Sequence, residues 1–139
     1  MGQLVHAVGV IFANKAGEIV VLKRAPGVME GGRWGLVGGK VAIGERAIET
    51  AVKKVRAEIG LKLGEADLEL VHSYRWKREG LDLIFDVFRS RVLAVDEAVR
   101  LDHAGNVGYQ WVRPQEWLDR EDLMEGLYPI LRDLFRTDK

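Results

Sequence analysis

The stretch WGLVGGKVAIGERAIETAVKKVRAEIGL, residues 34–61, decides how this chain folds. Its first part is rich in glycine and leads to Glu45, after which apolar residues recur at helical spacing as far as residue 59. This periodicity predicts an amphipathic helix over residues 45–59, with Gly60 as its stop signal. A glycine-rich loop that enters a helix can present backbone N–H groups and the positive end of the helix dipole to a phosphate.

The spacing of this stretch resembles the Nudix box of the MutT-like pyrophosphohydrolases. In that family the box reads Gly, five residues, Glu, seven residues, Arg-Glu, an aliphatic residue, any residue, Glu-Glu, any residue, Gly and an aliphatic residue. The chain matches the box without insertion at Gly39, Glu45, Val55, Glu58, Gly60 and Leu61. Residues 34–41 also resemble the family's approach to the box, Trp-x-Leu-Pro-Gly-Gly-Lys-Val, with a valine in place of the proline.

Three positions inside the box depart from the family's pattern. Lys53 stands where the family has arginine, Lys54 where it has the first helix glutamate, and Ala57 where it has the first glutamate of the pair. Late in the chain, Gly108 stands where the family often has a further acidic residue, shortly before Trp111. The sequence therefore keeps the spacing of the box and lacks several of its carboxylates.

The helix face that carries positions 54, 57 and 58 lies opposite the apolar stripe, because residues at this spacing are neighbours on a helix. The resemblance implies that this face holds magnesium through carboxylate oxygens, together with substrate phosphates. Here it carries Lys54 and Glu58, with no net charge. Because Mg²⁺ needs several oxygen ligands near octahedral positions, one carboxylate beside an ammonium should hold it poorly. We expect Glu58 to pair with Lys54 instead.

One interpretation of these departures is an anion site that needs no metal. The loop glycines Gly38 and Gly39, with Lys40, Lys53 and Lys54, would then bind a nucleotide or another phosphate. In this interpretation the lysines take over the role that a metal ion has elsewhere in the family.

Two other interpretations stay open. The box can persist as an element of the fold only, with glycines that serve the turn and lysines that form a solvated helix face. Alternatively, Glu45, Glu49 and Glu58 can rebuild a metal site, in which Glu45 and Glu58 also carry the catalysis. Glu45 and Glu49 are one helical turn apart, which makes a shared ligand geometry feasible.

Two residues outside the helix are further candidates for substrate binding. Arg24 follows a predicted strand at a place where the family often has a basic residue, and such a residue can contact phosphate. Trp34, beside the glycine loop, can stack on a nucleobase.

The resemblance implies magnesium-dependent cleavage of a pyrophosphate in a nucleoside diphosphate derivative. Because box carboxylates are replaced, we expect this catalysis to be weak or lost, and the alternative is a metal-independent nucleotide- or phosphate-binding module. Mg²⁺ is the expected cofactor if the protein is active, and otherwise none is needed. The expected ligand is a nucleotide or a nucleoside diphosphate derivative, and the resemblance also allows a homodimer.

Patterns outside the box predict the remaining elements. They indicate a hairpin of residues 4–13 and 18–23, a loop over 25–35, a short strand at 34–37, a second hairpin of 68–76 and 81–94, a strand at 107–112, a helical turn at Pro114 and a closing helix over 121–136. This order predicts an α+β fold, a Nudix-type α/β/α sandwich with a mixed β-sheet between helices. Residues 1–139 are expected to form a single domain.

Composition excludes several classes of function. Lys and Arg number 21 and balance 21 Asp and Glu, so no global field favours a nucleic acid polymer or a membrane surface. The chain has no cysteine, which excludes disulfides and thiolate metal sites, and its three histidines lack a ligand spacing. The N-terminus shows no signal peptide pattern, and we expect a cytoplasmic location.

Overall fold

A computed structural model describes residues 3–28, 30–93, 95–102, 105–124 and 126–135. Within these ranges the strands are β1 (Gln3–Ile11), β2 (Ile19–Arg24), β3 (Trp34–Gly35), β4 (Val37–Lys40), β5 (Leu68–Arg78), β6 (Leu81–Ser90) and β7 (Asn106–Val112). The α-helices are α1 (Ala47–Ile59) and α2 (Leu127–Phe135). Short 3₁₀ turns occur at Glu65–Asp67, Asp96–Ala98 and Pro114–Trp117, the last at the position predicted from Pro114.

The strands form two sheets. The first has the order β4-β1-β6-β5, in which β1 runs parallel to β6 and the other pairs are antiparallel. The second has the order β3-β2-β7 and is antiparallel throughout. The parallel pair of β1 and β6 makes the first sheet mixed, because strands joined only by hairpins would all be antiparallel.

Each helix covers one face of the strands. One buried cluster joins Val55 and Ile59 of α1 to Val8 and Val10 of β1 and to Leu22 of β2. The other joins residues of α2 to the opposite faces of the same strands, including Ile11 and Val21. Alternation of apolar side chains along β1 and β2 therefore fills two cores, and the predicted α/β/α sandwich is confirmed.

The predicted first hairpin is wrong in its pairing. The Asn14 side chain does form the expected turn, since its Oδ1 accepts the backbone N–H groups of Ala16 and Glu18, each at 3.0 Å. The two strands, however, share only the isolated bridge between Ala13 and Ile19 and then enter different sheets. Each strand carries apolar residues on both faces, which α1 and α2 cover, and each lies inside its sheet, β1 between β4 and β6 and β2 between β3 and β7.

The second predicted hairpin is confirmed, with β5 antiparallel to β6. Strand β6 ends at Ser90, earlier than the predicted residue 94, which lies outside the described residues. The predicted strand at 34–37 is divided at Leu36 between the two sheets. Helix α2 begins at Leu127 and not at residue 121, because Leu123 bridges to Trp34 in extended conformation.

Helix α1 begins two residues later than predicted. Arg46 has extended backbone angles and acts as N-cap, and its backbone N–H donates to the Glu49 carboxylate at 2.8 Å. The helix ends at the predicted stop, since Gly60 is left-handed with a φ of 74° and its N–H donates to the Arg56 carbonyl at 3.0 Å. Among the described residues, neither helix is long and apolar enough to cross a membrane.

Candidate functional site

A cavity of about 650 Å³ opens between the first sheet, α1 and α2. One end is polar and is formed by the glycine loop and its neighbours Arg24, Glu30, Gly38, Gly39, Lys40, Lys54, Glu58 and Asn106. The other end is apolar and is lined by residues that include Leu36, Trp76, Phe85, Met124, Leu127 and Ile130. This volume is in the range of small-molecule sites, and the pairing of an apolar wall with a few polar groups is typical of them.

The glycine approach is built by close contact between β4 and β1. A Cβ placed on Gly38 would lie 2.0 Å from the backbone oxygen of Val8, so only glycine fits this position. Gly38 of β4 pairs with Gly9 of β1, and its strand runs beside α1. As a result the Gly38 N–H donates to the Glu58 Oε1 of α1 at 3.0 Å.

Lys54 fills the space that Gly39 leaves free. A Cβ on Gly39 would lie 2.9 Å from the Lys54 Cε and 3.1 Å from its Nζ, so the lysine side chain extends across the loop. The predicted pairing of Lys54 with Glu58 takes a weaker form than a salt bridge. Within the described ranges no hydrogen bond or ion pair of the Lys54 ammonium is found, although its charge lowers the pKa of Glu58. Within the described residues, an ammonium without a close partner therefore lies over the glycine loop.

Glu58 is partly buried in the same end of the cavity. Burial raises the pKa of Glu58 from 4.5 to about 6, because its charged form loses hydration. The Gly38 N–H and the positive charges of Lys54 and Arg24 oppose this rise, and the negative charge of Asp102 adds to it. The loss of hydration raises the pKa of Glu58 by more than the Gly38 N–H and the two positive charges lower it. The protonated, neutral form of Glu58 is therefore more stable in the folded protein than in water.

Glu45, Glu49 and Lys53 lie outside the cavity and are engaged with each other or with nearby groups. Lys53 forms a salt bridge with Glu45, and this pairing lowers the pKa of Glu45. Thr50 Oγ1 also donates to Glu45 Oε1 at 2.6 Å. Glu49 accepts the Arg46 N–H at the start of the helix. Of the three predicted carboxylates, Glu58 thus lines the cavity, whereas Glu45 and Glu49 lie outside it and both act on the charge of Lys53.

This donor set does not fit a divalent metal ion. Over the part of the chain that the structure describes, no group of three or more His, Asp or Glu side chains is close enough to hold one. Glu58 shares its end of the cavity with Lys54 and Arg24. Because Mg²⁺ is bound by several oxygen ligands at short distances, an ammonium and a guanidinium in this position disfavour it.

The other predicted binding residues separate into two groups. Arg24 and Lys40 line the polar end of the cavity, as Gly38 and Gly39 do. Trp34 is not among the described lining residues and packs edge-on against Trp117, with ring centroids 5.4 Å apart. Its position between β2 and the segment before α2 makes it part of the second core.

Sequence reasoning missed most of the cavity lining, including one polar residue and the aromatic wall. Trp76, Phe85 and Met124 form part of the apolar wall, and Asn106 lies at the polar end. The available signal was the alternation in the second hairpin, which places Trp76 and Phe85 on one face of the sheet. Asn106 is a polar residue at the first position of a short strand, and nothing in the sequence indicated that it is buried.

The arrangement can bind an anion that is joined to an apolar or flat group. Among the described lining residues, Arg24, Lys40 and Lys54 are cationic, whereas Glu30 and Glu58 are acidic. Guanidinium and ammonium groups bind phosphate through charge-assisted hydrogen bonds. The ring centroids of Trp76 and Phe85 lie 6.1 Å apart and supply an aromatic surface at the other end.

Solved structures share this fold. The MutT protein from Methanosarcina mazei Go1 superposes with a TM-score of 0.78 at 22% identity, over 98% of this chain and 98% of its own. A MutT NUDIX hydrolase from Burkholderia pseudomallei gives 0.74 at 22% identity, over 95% and 98%. An Ap4A hydrolase from C. elegans, solved as a binary complex, gives 0.64 at 18% identity, over 92% and 93%. At these identities the likeness shows the fold alone.

No curated protein sequence matches the chain. The sequence model of the NUDIX domain matches residues 3–134, which is nearly the whole length. This match agrees with the box spacing at Gly39, Glu45, Glu58 and Gly60 and with the position of α1 behind the glycine loop. This protein therefore belongs to the NUDIX domain family.

Proposed function

We propose that this protein binds the phosphate part of a nucleotide or nucleoside diphosphate derivative without a divalent metal, and that its hydrolytic activity is weak or lost. The observation that carries the proposal is the Lys54 side chain, which extends across Gly39 within the cavity. In the box pattern this position belongs to a carboxylate, and here it presents an ammonium group to the ligand.

The charges at the polar end support binding without metal. Arg24 and Lys40 lie at the same end as Lys54, on β2 and β4. A phosphate at this end would meet three cationic side chains, which can neutralise it as a metal ion would. Glu58 opposes binding when it is ionised, but its raised pKa makes its neutral form accessible near pH 6.

The apolar end supports an organic group on the phosphate. Trp76 and Phe85 offer aromatic faces, and Leu36 and Met124 close the wall around them. Aromatic faces stack on nucleobases without strong sequence preference. The name of one structural neighbour, an Ap4A hydrolase, agrees with a nucleotide derivative as ligand. We therefore place phosphate at the glycine loop and the organic group toward α2.

The experiment is a calorimetric titration of pyrophosphate and ADP, once with Mg²⁺ and once with EDTA. Binding should be the same in both conditions. Lys54→Met should weaken both ligands by about tenfold, because a charge-assisted hydrogen bond contributes on the order of 1.5 kcal/mol. The matched control is Lys53→Met, which removes an adjacent charge outside the cavity and should leave binding unchanged. Binding that requires Mg²⁺, or equal losses in both variants, would contradict the proposal.

A second candidate function is residual hydrolysis through Glu58. The observation in its favour is a carboxyl group in the cavity with a pKa of about 6, which is close to the value that suits a general base near neutral pH. The products of pyrophosphate cleavage should be measured with and without Mg²⁺: AMP and ribose 5-phosphate from ADP-ribose, and a nucleoside monophosphate and pyrophosphate from a nucleoside triphosphate. Turnover that Glu58→Gln abolishes would favour this candidate over a pure binding module.

We also propose, from the family resemblance, that the protein forms a homodimer and resides in the cytoplasm. Light scattering coupled to size-exclusion chromatography tests the first statement through the molar mass, for which the monomer value is 15.6 kDa. Fractionation of the producing cells tests the second.

A further inference from the structure

The polar residue Asn106 occupies an unusual position at the edge of the cavity. It is 4% exposed, and it lines the cavity together with Arg24 and Glu58. Its backbone begins β7 and pairs with Arg24 in β2, at a point where the register shifts. Strand pairing thus places Asn106 at the polar end, next to Arg24 of the proposed phosphate site.

The carboxamide of Asn106 has no partner among the residues that the structure describes. Three polar residues are buried in these ranges, and the other two are satisfied. Thr50 donates to Glu45 at 2.6 Å, and Asp86 accepts from Ser73 at 2.5 Å and also contacts His6 at 2.6 Å. No hydrogen bond of the Asn106 side chain is found within the described ranges, and its polar atoms are not among the fully buried atoms without a partner, as Tyr74 Oη is. The carboxamide is therefore open to the cavity that it lines, where a ligand can supply its hydrogen-bond partner.

We propose that Asn106 is a specificity-determining residue that binds the sugar hydroxyls of the ligand. This inference rests on the proposed binding of a nucleoside phosphate and adds the group that reads its sugar. A carboxamide offers two donors and an acceptor oxygen, which complements hydroxyl groups that both donate and accept. The sugar is also the part of a nucleotide that directly follows the phosphate.

The position of Asn106 agrees with this order. Paired residues of antiparallel strands lie about 5 Å apart at their Cα atoms, so Asn106 is one strand away from the cationic Arg24. The aromatic surface formed by Trp76 and Phe85 lies on the other sheet. Because the sugar is attached directly to the phosphate, a phosphate at Arg24 would bring the sugar near the carboxamide.

The test compares three probes: pyrophosphate, ADP and 2′,3′-dideoxy-ADP. The unaltered protein should bind ADP more tightly than dideoxy-ADP. Asn106→Leu should weaken ADP by roughly 3- to 10-fold, as expected for one or two lost hydrogen bonds, and should leave dideoxy-ADP and pyrophosphate unchanged. The matched control is Gln110→Leu, which removes an exposed carboxamide from the same strand outside the cavity.

Thermal unfolding separates binding from folding. Asn106→Leu removes no hydrogen bond that is found within the described residues, so its midpoint should not fall below that of the unaltered protein. Equal losses for ADP and dideoxy-ADP, or no loss for either, would overturn the role of Asn106 while leaving phosphate binding intact. Failure of the unaltered protein to bind both pyrophosphate and ADP would overturn the proposed function and this inference together.

Discussion

Replacement of Glu58 by glutamine should stabilise the protein at neutral pH. Glutamine keeps the shape of the side chain and an oxygen that can accept the Gly38 N–H, which is now 3.0 Å from Oε1. It removes a negative charge that loses hydration on burial. Because the pKa of Glu58 is raised on folding, the folded state binds the proton more tightly than the unfolded state does. The stability that this carboxyl contributes is therefore complete below pH 4.5 and is lost as the pH rises through about 6.

The size of the effect follows from the pKa. A rise from 4.5 to about 6 corresponds to about 2 kcal/mol, at about 1.4 kcal/mol for each tenfold change in the acid constant. The glutamine side chain does not titrate. The free energy of unfolding of Glu58→Gln relative to the unaltered protein should therefore increase by about 2 kcal/mol between pH 4 and pH 7.5.

The assay is urea unfolding in buffers free of phosphate, followed by the fluorescence of the four tryptophans. Glu45→Gln provides a control of opposite sign, because Lys53 lowers the pKa of Glu45. The Glu45 carboxylate contributes stability above its unfolded pKa, and this contribution is lost as the pH falls through the folded value. A difference between Glu58→Gln and the unaltered protein that does not change with pH would refute the reasoning about burial of Glu58.

Three further predictions concern the loop and helix of the box. The double variant K54E/A57E restores two box carboxylates and should bind Mg²⁺ more tightly, measured by calorimetry, whereas a K53E variant should not. Gly38→Ala should destabilise the protein by about 1 to 3 kcal/mol in urea unfolding, because the added Cβ would meet the Val8 oxygen at 2.0 Å. Thr50→Val should cost about 1 to 3 kcal/mol, since it removes a buried hydroxyl that donates at 2.6 Å, and Thr50→Ser should recover most of that loss.

The sequence alone determined the central part of the fold. Glycine spacing and apolar periodicity over residues 34–61 indicated the loop, α1 and its end at Gly60. These features depend on contacts between residues close in the chain, such as the left-handed cap and the i, i+4 stripe, so a local pattern reveals them. The second hairpin was predictable for the same reason, because its two strands are joined by a short turn.

The pairing of β1 and the content of the site were decided by the tertiary structure. Local turn chemistry at Asn14 favoured a hairpin, but β1 pairs with β4 and β6 in the first sheet, and α1 and α2 cover its two apolar faces. Likewise Lys53 and Lys54 are equivalent in the sequence, yet only Lys54 reaches the cavity. Successive residues on a helix point about 100° apart, and the packing of α1 against β4 selects which of them faces the glycine loop.

The same distinction applies to the binding residues. Trp34 was predicted to contact a ligand because it is near the glycines in the chain, but it packs against Trp117. Asn106 is 67 residues from Gly39 in sequence, yet the two line the same cavity. They come together because β2 pairs on one side with β7, where Asn106 begins, and on the other side with β3, which leads into the glycine loop. The sequence therefore determined the family, the glycine loop and α1, because their pattern depends on residues that are close in the chain. Long-range strand pairing decided which side chains line the cavity.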